Sequence, residues 1–405
     1  MTNPLTHSGD GSRSNSFSPD GLQRMSAAIQ REVDSGQIPG AALLLARGGK
    51  VGFQQAFGRL RPDQPGPMTL DAIFRIYSMT KPVVSVAVMM LVEQGRLLLA
   101  DPVAKWLPEF AELQVARELI GDDGVRRLHL EACQRPMTVQ DLLRHTAGLT
   151  YGIFGSPTLV KAAYTASGIE SRATTNATLV AGLAKLPLAY QPGTVWEYSR
   201  ATDVLGALLE RLSGQSLDDY LREQIFTPLA MSDTGFDVAP AQQHRIAEPF
   251  AVDPDSGKAV RLIDVRSRPD FLSGGGGLVS TLQDYWRFAR MLQCHGELDG
   301  VRLLSRKTLE FMTSDHLVGL PHGTAGPMYL PGPGYGFGLG FAVRNCTGAA
   351  ATPGSVGEYH WSGLAGTFFW NDPQEDLVAI WMMQAPEQRD RFRHLIRNLV
   401  QACVV

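Results

Sequence analysis

The two ends of this chain carry matching patterns, since each end has two apolar stretches beside an amphipathic helix. Near the start, "GAALLLARGGKVGFQQAFG" predicts two strands joined by a tight turn at Gly48-Gly49, preceded by a helix over residues 20–35. Near the end, "HWSGLAGTFFWNDPQEDLVAIWMMQ" predicts two more strands on either side of an Asn-Asp-Pro turn, followed by a helix. The apolar residues at helical spacing are Leu22, Met25, Ile29 and Val33 in the first helix and Phe392, Leu395, Ile396, Leu399 and Val400 in the second. We therefore predict an α+β fold in which both ends share one antiparallel sheet, flanked by the N- and C-terminal helices.

The middle of the chain differs in character from its two ends. Helical patterns with cap signals, such as Thr138-x-x-Asp141, alternate there with irregular stretches, and "VLGALLERLSG" ends at the C-cap signal Gly214. The first residues, "MTNPLTHSGDGSRSNSFSPDG", are polar and rich in Ser and Gly, which is typical of a disordered arm rather than a signal peptide. These patterns predict an arm over residues 1–19, an α/β domain made of residues 20–100 and 266–405, and a mostly helical inserted region over residues 101–265.

Composition and charge exclude several classes of function. Hydrophobic residues make up 44% of the 405-residue chain, charged residues make up 19%, and the net charge is −3, as in an ordinary globular protein. No basic stripe indicates a nucleic-acid or anionic membrane partner, and the apolar run Val83–Val92 is too short to cross a bilayer. The widely spaced Cys133, Cys294, Cys346 and Cys403 predict buried free thiols in a reducing compartment, so we expect a cytoplasmic protein. The nine histidines form no H-E-x-x-H, and we expect neither a metal nor a cofactor.

The stretch "IYSMTKPVVS" places a lysine three residues after a serine, at the start of an apolar helical pattern. Pro82 is tolerated only in the first turn of that helix, because proline costs about 3 kcal/mol deeper inside one. Ser78 must therefore lie at or just before the first turn, and Lys81 projects beside it on the same face.

This spacing of Ser78 and Lys81 has a chemical use. A serine hydroxyl is a weak nucleophile until a neighbour takes its proton, and lysine can do so only when it is neutral, which burial and the helix dipole favour. The helix start also places the Ser78 N–H where it could stabilise an oxyanion, and arginine could not replace the lysine because it stays protonated. The chain has 7 lysines against 30 arginines, and this is its one S-x-x-K. The same residues also fit a serine helix cap beside a solvated lysine.

Two later segments supply candidate partners for Ser78. "PGTVWEYSRATDVLG" places Tyr198 directly before a helix with Ser199 as its N-cap, and a phenol that faces Ser78 could shuttle a proton. "HWSGLAGTFFW" is a predicted strand with the triplet W-S-G near its start. Small residues there would let a substrate lie against the strand, and the N–H of Leu364 could be a second oxyanion donor.

Taken together, S-M-T-K, Y-S-R roughly 120 residues later and W-S-G near the end resemble the three-part signature of the serine β-lactamase and penicillin-binding-protein superfamily. The resemblance is nearest to class C β-lactamases and the related family VIII carboxylesterases, and it covers roughly residues 20–400. Supporting stretches include "LLLADPVAKWLPEF", "MTVQDLLRHTAGL" and "GGGGLVSTLQDYWRF". It implies a β-lactamase/DD-peptidase-like fold with the active site in the groove between the α/β domain and the helical insertion.

The resemblance also implies roles for individual residues. Ser78 would be the acylated nucleophile, Lys81 its base, and Tyr198 the group that handles protons in acylation and deacylation. The backbone N–H groups of Ser78 and Leu364 would form the oxyanion hole. The expected substrate contacts are His360, Trp361, Ser362 and Gly363.

Two positions depart from the β-lactamase pattern. The tyrosine motif there usually ends in asparagine, but here it ends in Arg200. The strand motif there is K-T-G, whose lysine helps to hold the substrate carboxylate, but here Trp361 takes the place of that lysine and follows His360. Because an indole replaces a cation with an apolar surface, affinity for anionic β-lactams should fall and uncharged esters should be accepted more readily. His360 could restore some positive charge, or it could be a packed strand residue.

We therefore expect a carboxylesterase that hydrolyses short-chain esters through an acyl-serine intermediate, with a small-molecule ester as its partner. Alternatives with the same chemistry are a β-lactamase, a D-aminopeptidase or amidase, and an acyltransferase. An alternative of a different class is a non-catalytic relative that only binds a ligand, and Arg200 keeps it open.

Other motifs point away from competing enzyme classes. The chain has no G-x-S-x-G elbow, and Gly274–Gly277 lacks the Lys-Ser/Thr of a P-loop. Ser280 and Gln283 predict a capping box for the next helix, and His145 fits a structural loop residue better than a ligand. The alternating glycines of Tyr335–Phe341 predict a strand with one bare face, which either borders the groove or packs closely on a helix.

Overall fold

The computed structural model describes residues 16–169, 171–320 and 331–405, so most of the arm predicted over residues 1–19 falls outside the described residues. The helices are α1 (Pro19–Asp34), α2 (Thr80–Glu93), α3 (Val139–Leu143), α4 (Leu159–Ala166), α5 (Asn176–Leu183), α6 (Ala201–Ser213), α7 (Leu217–Leu221), α8 (Leu282–Gln293), α9 (Arg306–Met312) and α10 (Arg389–Gln401). The strands are β1 (Gly40–Arg47), β2 (Lys50–Gly58), β3 (Ile73–Arg75), β4 (Gln114–Ile120), β5 (Arg126–Ala132), β6 (Val279–Thr281), β7 (Glu297–Leu298), β8 (Val301–Arg302), β9 (Tyr335–Phe337), β10 (Ala342–Arg344), β11 (Tyr359–Ser362), β12 (Phe368–Asp372) and β13 (Leu377–Met383). Short 3₁₀ turns span Tyr77–Met79, Val103–Lys105, Pro108–Phe110, Pro240–Arg245 and Pro386–Gln388, and a π turn spans Arg222–Phe226.

Residues 16–19 differ from the arm predicted for them. The Phe17 side chain is buried, the Ser18 N–H donates to the Cys403 carbonyl at 2.8 Å, and Pro19 begins α1. The Ser18 hydroxyl caps α1 by accepting from the Gly21 N–H. This part of the N-terminus is therefore packed against the C-terminal end of the chain.

One antiparallel sheet joins both ends of the chain. Its strand order is β2-β1-β13-β12-β11-β10-β9. β1 from the N-terminal end pairs with β13 from the C-terminal end, with Leu43 opposite Trp381. The β1–β2 hairpin reverses at Gly48 and Gly49, both of which have positive φ. The predicted α+β fold, with one sheet made from both ends, is confirmed.

Helices cover both faces of this sheet, because β1, β12 and β13 bury side chains on both sides. On one face, α1 and α10 contribute Met25, Ile29, Phe392 and Ile396 to a core shared with alternate residues of β1 and β13. On the other face, α8 and α2 join a larger core that continues into the helical part of the chain. The two terminal helices thus lie where the apolar periodicity of the sequence predicts them.

α2 is buried on every side, with each residue from Thr80 to Leu91 shielded from solvent. A helix that is apolar all round belongs in the interior of a protein. Pro82 lies in its first turn, as the sequence predicts, since that turn needs no N–H from this position. The helix therefore fixes the position of the 3₁₀ turn Tyr77–Met79 that directly precedes it.

The region of residues 101–265 contains α3 to α7 and also the β4–β5 hairpin, which the sequence did not predict. The two strands are rich in Ala, Leu, Glu and Arg, residues that favour helices, so the local composition hides the hairpin. After α7 the chain returns to the α/β part, where the Arg75 side chain donates to the carbonyls of Ile263 at 2.6 Å and Ala247 at 3.1 Å. The domain limits at residues 100/101 and 265/266 stay a prediction.

Two of the predicted helix ends are confirmed. Thr138 and Asp141 form a full capping box at the start of α3. Gly214 follows α6 in the left-handed conformation, with φ of 73°.

The capping box assigned to Ser280 and Gln283 is wrong by one residue. The Thr281 hydroxyl caps α8 by accepting from the Asp284 N–H, and Thr281 is the last residue of β6, directly before the helix. The Ser280 hydroxyl lies instead 2.8 Å from the Thr234 hydroxyl.

The cysteines agree only in part with the prediction of buried free thiols. All four thiols are free, but Cys403 alone is buried. Among the helices of the described residues, none combines the length and the apolar character needed to span a bilayer.

Candidate active site

Ser78 lies in the 3₁₀ turn directly before α2. Its neighbour Tyr77 has φ of 43°, a left-handed conformation that is costly for a residue with a side chain. The turn is held because the Met79 N–H donates to the Ile76 carbonyl at 3.0 Å and the Tyr77 hydroxyl accepts from the Ile263 N–H at 3.0 Å. Ser78 is consequently fixed at the N-terminus of a rigid, buried helix, with its own side chain half-buried.

Lys81 lies one turn further on and is almost fully buried, with 1% of its surface exposed. Its Nζ lies 3.3 Å from the Ser78 Oγ, 3.1 Å from the Tyr151 hydroxyl and 2.6 Å from the Gly275 carbonyl oxygen. An ammonium group has three N–H donors and no acceptor, and here each donor has one oxygen within reach. The contacts therefore match a charged amine.

The surroundings of Lys81 favour its ammonium form. Burial alone opposes the charge, but the oxygens of Tyr151 and Tyr198 and the carboxylate of Asp203 outweigh it and raise the pKa of Lys81 above its ordinary value. The sequence instead predicts a lowered pKa for Lys81. Burial and the helix dipole can be inferred from the sequence, but the positions of these oxygens cannot. Lys81 thus carries a positive charge beside Ser78 at neutral pH.

Tyr198 contacts the same serine from the helical part of the chain. Its hydroxyl donates to the Ser78 Oγ at 2.7 Å, and its ring centroid lies 4.6 Å from the Lys81 Nζ. The Tyr198 ring is held by an aromatic cluster made of His145, Tyr151, Phe154, Trp196 and Trp361. The structure thus brings together the three side chains that the sequence motifs single out.

The helix after Tyr198 begins one residue later than the sequence predicts. Its N-cap is Arg200 rather than Ser199, and the Ser199 hydroxyl accepts from the Ala201 N–H at 3.3 Å. The same hydroxyl lies 3.1 Å from Nδ1 of the buried His145. These contacts anchor the backbone next to Tyr198 and give His145 a structural position in its loop.

The end of β11 lies against the turn that carries Ser78. Gly363 has no room for a side chain, because a Cβ there would lie 2.4 Å from the Ile76 carbonyl oxygen. Thr367 closes the loop, since its carbonyl accepts from the Gly363 N–H at 2.7 Å and its hydroxyl donates to the Ile76 carbonyl at 3.3 Å. The Leu364 N–H has no acceptor among the described residues. The Ser78 N–H lies in the first turn of a helix, where main-chain N–H groups lack intrahelical acceptors.

Successive side chains of β11 point to opposite faces of the sheet. Trp361 is fully buried on the face that holds Tyr198, with the two ring centroids 5.3 Å apart. His360 and Ser362 lie on the other face, where the Ser362 Oγ accepts from Arg393 Nη2 at 3.0 Å. Trp361 therefore supports Tyr198 by packing, and His360 is not brought to the Tyr198 side. Contact of these residues with a substrate stays a prediction.

Sequence reasoning missed Tyr151 and the position of Arg200. Tyr151 lies in an irregular loop after α3, which carries no periodic or capping signal. The Arg200 guanidinium lies over the Tyr151 ring, 4.9 Å from its centroid, and its Nη1 lies 3.3 Å from the Asp203 carboxylate. The residue that departs from the β-lactamase pattern is thus part of the packing around Lys81.

The run Gly274–Gly277 stands out in the sequence, but the sequence does not show that it contacts Lys81. Asp203 accepts from the Gly275 N–H at 2.8 Å and from the Ser273 hydroxyl at 2.6 Å, and the Gly275 carbonyl then accepts from Lys81. A Cβ on Gly275 would lie 2.8 Å from the Asp203 carboxylate, so only glycine permits this approach. Across the three described ranges, no cluster of three or more His, Cys, Asp or Glu side chains is arranged to hold a metal ion.

Comparisons with known proteins bear on the family and the fold of this chain. A family model described as Beta-lactamase matches residues 25–402. The chain is 34% identical over 370 residues to the Mycobacterium tuberculosis protein Rv1367c, which covers 88% of each chain. It is 30% identical over 369 residues to the esterase EstB of Burkholderia gladioli, which covers 86% of each chain. Among solved structures, EstCE1, a hydrolase with promiscuous acyltransferase activity, is similar with a TM-score of 0.78 and 28% identity, covering 94% of this chain and 98% of that one.

Proposed function

Since the chain belongs to the beta-lactamase family, as a serine hydrolase of the esterase type, we propose that it hydrolyses short-chain carboxylic esters through an acyl-enzyme on Ser78. One observation carries the proposal, namely the contact of a single hydroxyl with two groups that can handle protons. The Ser78 Oγ lies 2.7 Å from the Tyr198 hydroxyl and 3.3 Å from the Lys81 Nζ. The proposed reaction uses no metal and no cofactor.

Tyr198 is the base in this mechanism, and Lys81 is the cation that supports it. The raised pKa of Lys81 and its three oxygen neighbours leave the amine no lone pair with which to take a proton. The Ser78 proton passes along the 2.7 Å contact to the Tyr198 oxygen while the Tyr198 hydroxyl proton moves on to the leaving group. The ammonium group, 4.6 Å from the Tyr198 ring centroid, stabilises the negative charge that develops on that oxygen during the transfer.

Acylation and deacylation then follow the same proton path in opposite directions. The Ser78 Oγ bonds to the ester carbonyl carbon, and the N–H groups of Ser78 and Leu364 hold the oxyanion that forms. The C–O bond to the alcohol breaks, and Tyr198 gives its proton to the leaving alkoxide. Tyr198 next takes a proton from water, which attacks the acyl-enzyme, and returns that proton to Ser78 as the acid product leaves.

The strand beside Ser78 supports an ester substrate over a β-lactam. The K-T-G lysine of β-lactamases is replaced here by Trp361, whose buried indole packs against Tyr198 and adds no charge. Anionic β-lactams thus lose a partner at this strand position, whereas a short ester needs none there. Ester turnover should therefore dominate.

The test compares three substrates for the wild type and for Ser78→Ala. We expect 4-nitrophenyl butyrate to be hydrolysed faster than a chromogenic cephalosporin or a D-amino acid amide, and Ser78→Ala to lose at least a thousandfold in kcat. Ser85→Ala is the matched control, since Ser85 is buried in the same helix, and it should keep its ester turnover. Dominant cephalosporin turnover would overturn the ester assignment, and no turnover of any substrate would favour the non-catalytic relative.

Acyl transfer to an alcohol is a second candidate, favoured by the similarity to EstCE1, a hydrolase with promiscuous acyltransferase activity. An alcohol that replaces water at the acyl-enzyme would give a new ester instead of an acid. With 1-butanol as the added acceptor, transfer gives butyl butyrate and hydrolysis gives butyrate. The ratio of these two products separates the two reactions. Ester product in excess of acid at millimolar 1-butanol would assign transfer as the main reaction.

A cytoplasmic location, and the lack of a nucleic-acid or membrane partner, remain part of the proposal. They rest on the composition of the chain and on the spacing of its cysteines. Fractionation of the source cells, with detection by antibody, tests the location directly.

A further inference from the structure

A buried ion pair lies next to Tyr198 in the chain. It joins the Lys161 Nζ in α4 to the Glu197 carboxylate at 3.0 Å, and the two side chains are only 5% and 1% exposed. Glu197 is the residue directly before Tyr198. The segment that carries the tyrosine is therefore bound, at its adjacent residue, to a separate helix.

The ion pair also fixes the loop after α3. Its ammonium group donates to the Phe154 carbonyl at 2.7 Å, and the Glu197 oxygen that it contacts also accepts from the Thr150 hydroxyl at 2.7 Å. Thr150 and Phe154 lie on either side of Tyr151, whose hydroxyl contacts the Lys81 amine. One cation and one carboxylate thus join α4, the loop after α3 and the segment before α6.

Main-chain and ring contacts bind that loop to Tyr198 on both sides. The Glu197 N–H donates to the His145 carbonyl at 2.9 Å, and the Ser199 hydroxyl lies 3.1 Å from the His145 Nδ1. The Phe154 ring centroid lies 5.8 Å from that of Tyr198. The position of the loop therefore decides the position of the Tyr198 ring.

A buried ion pair adds little to stability by itself. The cost of taking two charges out of water offsets most of their attraction, and apolar side chains of similar volume are often as stable. A charged, hydrogen-bonded pair does fix distances and directions between the segments that it joins. Such precision matters for catalysis, because a displacement of about 1 Å can lower a rate about a hundredfold.

Resting on the proton path proposed above, we propose that Lys161, Thr150 and Glu197 are positioning residues that hold the Tyr198 hydroxyl at 2.7 Å from the Ser78 Oγ. Lys161 and Thr150 act through Glu197, and none of the three exchanges a proton with Ser78. Since Tyr198 takes part in both acylation and deacylation, the loss of these contacts should slow both steps, whatever the acyl group.

The experiment removes each contact and keeps the shape of the side chain. Lys161→Met keeps most of the apolar stem and loses both contacts of the ammonium group. Thr150→Val loses the hydroxyl, whereas Thr150→Ser keeps it. With 4-nitrophenyl butyrate we expect kcat to fall about a hundredfold in Lys161→Met and about tenfold in Thr150→Val, with KM within threefold in both. Thr150→Ser should stay within threefold of the wild type in kcat.

Arg47→Met is the matched control, because it also removes a buried cation but lies in β1. Arg47 pairs with Glu375 at 2.8 Å and donates to the Val405 carbonyl at 2.8 Å, so it too has a carboxylate and a carbonyl as partners. This variant should lower the Tm and keep kcat within twofold per folded enzyme, with the folded fraction taken from circular dichroism. The two Thr150 variants carry the same test if Lys161→Met does not fold.

Three results would overturn the positioning role. They are equal losses of kcat per folded enzyme in Lys161→Met and Arg47→Met, a loss that falls on KM alone, and a Thr150→Ser variant as slow as Thr150→Val.

Failure of the ester chemistry is distinct, since the wild type would then hydrolyse no ester. Labelling by a fluorophosphonate, in which the Ser78 Oγ bonds to phosphorus and fluoride leaves, tests the positioning in that case as well. Labelling of Lys161→Met about a hundredfold slower than the wild type would support it. Equal rates, or no labelling of Ser78 in the wild type, would overturn it.

Discussion

Tyr151 ties the loop after α3 to the amine of Lys81. Its hydroxyl lies 3.1 Å from the Lys81 Nζ, and the Arg200 guanidinium covers its ring. Burial is the main reason why the pKa of Tyr151 is raised, so the phenol stays neutral and serves as an acceptor for the ammonium. Tyr151 therefore positions Lys81 without exchanging a proton with Ser78.

Tyr151→Phe should lower kcat about tenfold and leave KM within twofold, because the amine keeps its charge but loses one of three anchors. The loss of one hydrogen bond should lower the free energy of unfolding by only about 1 kcal/mol. Both are measured by ester kinetics and urea unfolding. Tyr164→Phe, at a buried tyrosine of α4 outside the contacts of Lys81, is the control, and an equal loss of kcat in the two variants would contradict this role.

Asp203 links α6 to the glycine run and through it to Lys81. Its carboxylate accepts from the Gly275 N–H and helps to raise the pKa of Lys81. In Asp203→Asn, the ammonium form of Lys81 should be lost at a lower pH than in the wild type. The alkaline limb of the kcat profile should thus shift to lower pH, and kcat at pH 7 should fall about tenfold. Asp219→Asn, at an exposed acid of α7, should leave the profile in place; an unshifted limb in Asp203→Asn would speak against the link.

Gly340 marks the place where the loop between β9 and β10 meets α2. It has φ of 99°, and a Cβ there would lie 2.3 Å from the Ser85 Oγ. Gly340→Ala should therefore cost about 2–4 kcal/mol of unfolding free energy, since backbone strain and a steric clash add up. Gly95→Ala is the matched control, because Gly95 also has positive φ, 67°, but nothing within 4 Å of its Cβ position, and it should cost only about 1 kcal/mol. Equal costs in thermal or urea unfolding would rule out the close packing on α2.

At the scale of elements, the sequence predicts what is periodic and misses what is not. The two terminal hairpins and helices have strong apolar periods, so their presence and pairing follow from pattern. The β4–β5 hairpin has helix-favouring residues on exposed strands, and its pairing depends on contacts that no local pattern encodes. The contacts of Tyr151 and Gly275 with Lys81 join loops far apart in the chain. Tyr151, Tyr198 and Asp203 together reverse the expected direction of the Lys81 pKa shift.

At the scale of the whole molecule, the sheet separates two groups of buried charge. On one face, the Lys81 ammonium lies near the neutral His145, and on the other face the arginines of α10 lie near the neutral His360. The motifs predicted which side chains meet around Ser78 from their spacing within a known family pattern. They did not predict the second group, because Arg393 belongs to a helix whose sequence shows only its amphipathic period.

These two histidines should make the fold sensitive to acid. Burial, reinforced by the charge of Lys81, lowers the pKa of His145 well below its usual value of 6.5, and burial with the nearby arginines does the same for His360. The unfolded chain binds a proton at each site as the pH falls through about 6.5, while the folded chain does not. The stability that comes from keeping these side chains neutral is therefore present above pH 6.5 and is lost as the pH falls toward the folded pKa values.

His360→Gln measures this effect for one site. Between pH 6 and pH 5 the free energy of unfolding of the wild type should fall more steeply than that of the variant, by up to about 1.4 kcal/mol per pH unit, since one fewer proton is taken up on unfolding. Urea unfolding at half-unit pH steps gives the two slopes directly. His129→Gln, at an exposed histidine of β5, should keep the wild-type slope. If His360→Gln keeps the wild-type slope as well, then His360 is protonated in the folded protein and its burial does not keep it neutral.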